Sequence, residues 1–359
     1  MKVDVAYNSN YFWRIIFTLM VTVIHTNWLG HHTGWYLAVE YFFIMSGFFL
    51  MRHWENTKQS SFSYMFGRVV KLWPHQLFSF ILLFIWTYRE LIRSGSGVLH
   101  KLVLHLGEAL PFTYFFSNYE STGVSFINFP VWYISVLLLV SMLFYYLLSR
   151  HKDFFCNLFL PLVIILVYRY LYHNCDSINV AEYEGILING FYLRGLGAMA
   201  CGCLIYCLVQ KLSRYTYSRK FFACMRILEF ISMVGMIGLS YYYGDSRNDV
   251  FLVLLLCMGT ICSFLYPAKT ILSCNIVKKA SNYMYPVYLN HLLVLAIMNA
   301  YITYLPQSRI VRYLLFLVIV IPYSVITKWI VDFCVKKIAQ LLRSFTVKQE
   351  KADDCRTAK

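Results

Sequence analysis

The chain has 359 residues, of which 59% are hydrophobic and 14% charged, with 32 lysines and arginines against 17 acids. Soluble domains hold about 45–50% apolar and about 25% charged residues, and 30 Tyr, 29 Phe and 8 Trp spread along the sequence exceed what one water-soluble core hides. A soluble globular fold is excluded, and so is a nucleic-acid partner: the net charge of +15 comes from basic residues placed between apolar runs, which suits membrane topology and anionic headgroups.

A helix that crosses the ~30 Å hydrocarbon core needs about 20 apolar residues. Ten such stretches follow one another: 11–29, 35–52, 73–89, 131–149, 154–173, 185–208, 226–243, 250–267, 284–304 and 311–335. The first has a weakly charged start and no small-x-small cleavage site, so it is expected to stay as a span. Ionisable residues inside a bilayer are costly and mark candidate sites, and this span holds Arg14 and His25. Their separation is about 1100° of helical turn, about 20° past three full turns, with a rise of about 16 Å. Both side chains then share one stripe, Arg14 at its inner mouth and His25 towards its outer third.

In the second span Glu40 lies at the depth expected for His25. A carboxylate there could accept one imidazole N–H and make the other nitrogen a better base; a helix–helix ion pair explains Glu40 equally well. The next loop carries Arg68 and Lys71, two cations that suit a phosphate-rich ligand and that the positive-inside rule also places there. Residues 90–130, with Gly95, Gly97, a short apolar piece at 109–116 and Pro130, are expected to form an external loop with an interfacial element. Trp132 and Tyr133 open the fourth span as interfacial aromatic anchors. In the sixth, Arg194 needs an anion or carbonyl, structural or ligand-borne, and the glycines after it let a neighbouring helix approach closely. His291, near the inner end of the ninth span, is expected to make a structural hydrogen bond.

With both termini in the cytoplasm, 23 of the 32 lysines and arginines fall on the inner side and seven on the outer, while Arg194 and Lys328 lie within spans. This asymmetry supports an all-α polytopic membrane protein of about ten transmembrane helices. Residues 1–345 form the membrane domain and 346–359 a charged cytoplasmic tail. The 11 cysteines lack metal-ligand spacing, and no metal site is expected.

Taken in order, these pieces resemble acyltransferase family 3, integral-membrane O-acyltransferases that modify bacterial surface glycans and related glycoconjugates. The resemblance is carried by Arg14-x10-His25, by the run Glu40-Tyr41-Phe42-Phe43 leading to Ser46-Gly47-Phe48, and by Arg68-Val69-Val70-Lys71 with Pro74. Further along it is carried by Val131-Trp132-Tyr133-Ile134-Ser135, by Arg194 to Gly202, and by Tyr285 to His291. Lys71 replaces the usual second arginine, keeping charge and losing the planar fork. Val136 and Leu137 stand where some members have an acid.

The resemblance implies a stand-alone member, without an extracytoplasmic esterase-like (SGNH) domain, in the cytoplasmic (inner) membrane. It implies an acyl-CoA donor, acetyl-CoA foremost, with its phosphates near Arg14, Arg68 and Lys71, and an acceptor hydroxyl on an envelope polysaccharide or lipid-linked glycan. His25, oriented by Glu40, would act as general base, with Trp132, Tyr133, Arg194 and His291 as substrate or structural candidates; a thioester is activated enough to need no metal. Two other readings fit the same residues. One is a transporter or flippase of a glycan-related substrate with a His25–Glu40 proton relay; the other is a non-catalytic component of a glycan assembly complex.

Overall fold

A computed structural model describes residues 9–26, 28, 34–111, 126–179, 190–266 and 271–357. Backbone polar groups in lipid must be satisfied within their own segment, which leaves apolar stretches of this length the helix as their solution. Each of the ten stretches indeed carries a helix. In order these are α1 (Asn10–Thr26), α2 (Ala38–Thr57, entered through the 3-10 turn Gly34–Leu37) and α3 (Ser61–Thr87). Then come α4 (Arg89–Ser94), α5 (Val98–Ala109), α6 (Trp132–Arg150), and α7 (Lys152–Phe154), which continues through a π-turn into α8 (Leu160–Asn174). The chain continues as α9 (Gly190–Leu212), α10 (Arg219–Tyr243), α11 (Asp249–Leu265), α12 (Asn275–Ser281), α13 (Met284–Ala300) and α14 (Arg309–Thr357). Among the described residues there is no strand. Seven helices are long and apolar enough to cross a membrane, and α11 and α13 are shorter apolar helices. The all-α polytopic membrane fold is therefore the architecture of this chain. Within the expected tail α14 runs on to Thr357, and residues 358–359 lie outside the described residues, as do Lys2, the start of the sixth stretch (185–189) and most of the apolar piece 109–116.

Local sequence sets several boundaries. Ser60 and Ser218 cap α3 and α10 by accepting hydrogen bonds from the backbone N–H of Ser63 and Phe221. The π-turn Phe155–Phe159 ends two residues before Pro161, which has no N–H to offer the previous turn.

The backbones of α2 and α9 touch. A methyl added at Gly202 would stand 1.9 Å from the carbonyl oxygen of Ile44, and one at Gly47 would stand 2.1 Å from that of Met199. Only a residue without Cβ permits that approach, so the close neighbour expected for the sixth stretch is α2. This contact places Glu40 of α2 opposite Arg194 of α9. The main core joins side chains of α1, α2, α6 and α8 to α11, and a second, smaller cluster packs α13 and α14 around Trp28 and Phe316.

The segment expected as an external loop with an interfacial element carries two short helices, and α5 turns Leu99, Leu102, Val103 and Leu106 outward. Gly95 and Gly97, at φ 68° and 73°, reverse the chain after α4, and α5 then returns along α3. Its last carbonyls, which no helix can satisfy internally, accept from side chains in the middle of α3. Trp73 Nε1 donates to Ala109 O at 2.7 Å, and Gln76 Nε2 donates to Leu110 O at 3.2 Å. The end of α5 is thus buried against α3.

Candidate functional site

The ends of α1, α2, α6, α9 and α13 and the segments before α6, α9 and α11 surround a cavity of about 230 Å³. Its wall includes His25, Tyr36, Phe129, Pro130, Trp132, Asn179, Phe191, Arg194, Asp245 and Tyr288.

Arg194 is 1% exposed and Glu40 not at all, so their charges must neutralise each other. Arg194 Nε donates to Glu40 Oε1 at 2.7 Å. Its remaining donors reach Asn179 Oδ1 at 3.3 Å and the Tyr36 carbonyl at 3.5 Å, and its guanidinium carbon stands 5.2 Å from the centre of the Trp132 ring. Trp132 is stacked on Phe191 with centroids 4.1 Å apart. Tyr36 donates to Asp249 Oδ2, which also accepts from the Ile178 backbone at 3.1 Å and so fixes the segment that carries Asn179.

His25 lines the cavity half-buried, and among the described residues its ring makes no hydrogen bond. The His291 ring faces it with centroids 5.0 Å apart. His291 Nδ1 is 2.6 Å from the Tyr288 carbonyl. A carbonyl only accepts, so Nδ1 carries the proton and Nε2 keeps its lone pair; Nε2 is buried without a hydrogen-bond partner among the described residues.

At the opposite end of the α1 stripe, Arg14 is half-buried, and no acid among the described residues pairs with it. Arg68 Nη1 donates to Tyr64 Oη at 2.8 Å and likewise has no acid partner. The Tyr133 hydroxyl lies 3.4 Å from Ser46 Oγ. From Tyr133 a row of rings runs to the cavity: Tyr133 to Tyr288 at 5.9 Å, Tyr288 to His291 at 6.0 Å, and His291 to His25 at 5.0 Å. Lys71 stands apart, exposed on α3.

Several expectations are corrected by this geometry. Glu40 does not orient His25; the ion pair with Arg194, the other reading of Glu40, is what forms, because the glycine contact brings α9 and not α1 against that face. Trp132 and Tyr133 are not interfacial anchors, since Trp132 is buried on Phe191 and Tyr133 lies 4.6 Å from Phe43. His291 does make the expected structural hydrogen bond, but it is not remote from His25. Both α12 and α13 pack along α1, so the chain has already climbed one short helix before α13 begins. The cavity residues Tyr36, Asn179, Asp245 and Phe191 carry no sequence signal of their own; they lie in or beside connecting segments that only folding brings together.

A family model for an acyltransferase domain matches residues 11–329, and the chain belongs to this family, acyltransferase family 3. It is a multi-pass membrane acyltransferase. No curated protein and no solved structure matches it.

Proposed function

We propose that the protein moves an acyl group, foremost acetyl, from acyl-CoA on the cytoplasmic side of the inner membrane to a hydroxyl of an envelope glycan or its lipid-linked precursor. The observation that carries this reading is the row of rings from Tyr133 through Tyr288 and His291 to His25, which ends at the cavity. Arg14 and Arg68, both lacking a carboxylate partner among the described residues, suit the phosphates of the donor, and Lys71 adds an exposed charge on α3. The arm of the donor follows the aromatic row, and the ~16 Å rise between Arg14 and His25 is on the order of its length. The acceptor occupies the outer cavity. Its stacked Trp132 and Phe191, with Asn179, Asp245 and Arg194 around them, offer apolar faces and hydrogen-bonding groups that match a single sugar ring.

His25 removes the proton of the acceptor hydroxyl as its oxygen attacks the thioester carbonyl carbon. The C–O bond forms, the C–S bond breaks, and the departing thiolate takes the proton back from the imidazolium. His291, with Nε2 free to accept, takes the place beside His25 that the sequence reading gave to Glu40. Glu40 and Arg194 hold the cavity wall, and no step needs a metal.

Labelled acetyl transfer from acetyl-CoA to the glycan of permeabilised membranes tests the reading. His25→Ala is expected to lose transfer by about 10²-fold or more while the protein stays in the membrane. Wild-type transfer by that variant would remove the mechanism, and movement of glycan without any transfer would establish the carrier instead.

A further inference from the structure

The hairpin of α4 and α5 contains a buried network that the acyl-transfer reading does not use. Glu108 and His105 are 3% and 2% exposed. Tyr88 Oη lies 2.7 Å from His105 Nε2, and His105 Nδ1 lies 2.7 Å from Glu108 Oε1. The Glu108 carboxylate also accepts the backbone N–H of Ile127 at 2.9 Å and of Asn128 at 3.0 Å. Asn128 Nδ2 donates to Ser79 Oγ at 3.4 Å, and Ser79 Oγ donates to the Leu289 carbonyl at 2.7 Å.

The proton positions follow from what each group can do. Burial and the nearby Glu108 carboxylate raise the Tyr88 phenol above its ordinary value. The carboxylate accepts two backbone N–H groups and the His105 Nδ1–H as well, so the neutral ring's Nε2 is left to accept from the Tyr88 hydroxyl. His105 then carries its proton on Nδ1 and donates to Glu108, which is left as a pure acceptor. A carboxylate that accepts from one imidazole and two successive backbone N–H groups is fully committed and costly to disturb. What it holds is informative: Ile127 and Asn128 directly precede Phe129 and Pro130, which wall the cavity. Tyr288 Oη donates to the Pro130 carbonyl at 2.6 Å, and Tyr288 supplies the carbonyl that fixes the His291 ring.

We propose that Glu108 is a positioning residue of the transfer site. Its carboxylate, oriented by His105, holds the Phe129–Pro130 wall against α13 and so sets where the acceptor hydroxyl stands relative to His25 and His291. This rests on the acyl-transfer reading for its functional half.

Glu108→Gln keeps the shape and removes the charge. In the purified full-length protein, deuterium exchange at the amides of Ile127 and Asn128 is expected to quicken about tenfold or more, the scale of a hydrogen bond to a charged group. In permeabilised membranes supplied with labelled acetyl-CoA, with their own glycan as acceptor, the maximal rate should fall about tenfold and the Michaelis constant for acetyl-CoA should not change. Tyr88→Phe, which loosens His105 and leaves the carboxylate in place, should show the same two changes on a smaller scale and serves if the first variant does not accumulate. Unchanged exchange, wild-type transfer despite faster exchange, or a rate loss matched by a rising Michaelis constant for acetyl-CoA would each overturn the proposal. If the wild-type protein transfers no label, the acyl-transfer reading fails and the functional half falls with it, whereas a defect confined to the variants separates the two.

Discussion

Arginines mark both ends of the α1 stripe, and their surroundings are opposite. Arg194 is sealed from solvent, ion-paired to Glu40 and laid over Trp132. Arg14 and Arg68 are half-buried and lack a carboxylate partner among the described residues. An arginine whose charge is already matched holds architecture; one whose charge is unmatched at an accessible wall is ready for an anion from outside. The sequence marks Arg14 and Arg194 within spans and Arg68 in a loop, and only the structure shows that, of the three, Arg194 alone is ion-paired among the described residues.

Removing one partner of the sealed pair should produce the largest effect on stability. Glu40→Ala leaves a buried, uncompensated guanidinium, and a loss of about 3–5 kcal/mol is expected, read as a lowered midpoint of thermal unfolding in detergent. Replacing both partners by apolar residues of similar size, Glu40→Leu with Arg194→Met, should restore most of that stability. A Glu40→Ala protein as stable as the wild type would show that the pair does not hold the frame.

Arg14→Ala should reverse the pattern. Stability is expected to stay within about 0.5 kcal/mol, and the Michaelis constant for acetyl-CoA to rise by about 10-fold to 100-fold, corresponding to the loss of a charge-assisted hydrogen bond of about 1.5–3 kcal/mol. An unchanged constant would remove Arg14 from the donor site. The smallest effect is expected at Lys71, which is exposed on α3: its alanine variant should raise the same constant by less than about threefold, the scale of a solvent-screened charge. A change as large as that of Arg14 would place Lys71 within the donor site.

The chemistry-bearing residues were largely legible because membrane burial makes ionisable side chains conspicuous. Arg14, His25, Glu40, Arg194 and His291 stand out in apolar runs for that reason alone, and helical periodicity puts Arg14 and His25 on one stripe. Their partners were not legible. Depth along the chain suggested Glu40 for His25, but pairing also depends on which helix faces which, and that was decided by Gly47 and Gly202, where the backbones of α2 and α9 meet. The facing of His25 and His291 has no counterpart in the sequence reading, because the short helix α12, which packs along α1 before α13 begins, does not register in a count of spans.

What the sequence determined by itself is the solvent, the all-helical fold and the positions of the charges that lipid cannot tolerate unpaired, since each follows from composition and a local period. The tertiary structure decided the pairing of Glu40 with Arg194, the facing of His25 and His291, and the return of α5 along α3 to hold the cavity wall. These depend on contacts between residues up to 266 positions apart, as His25 and His291 are, and close packing fixes such contacts where local periodicity carries no information about them.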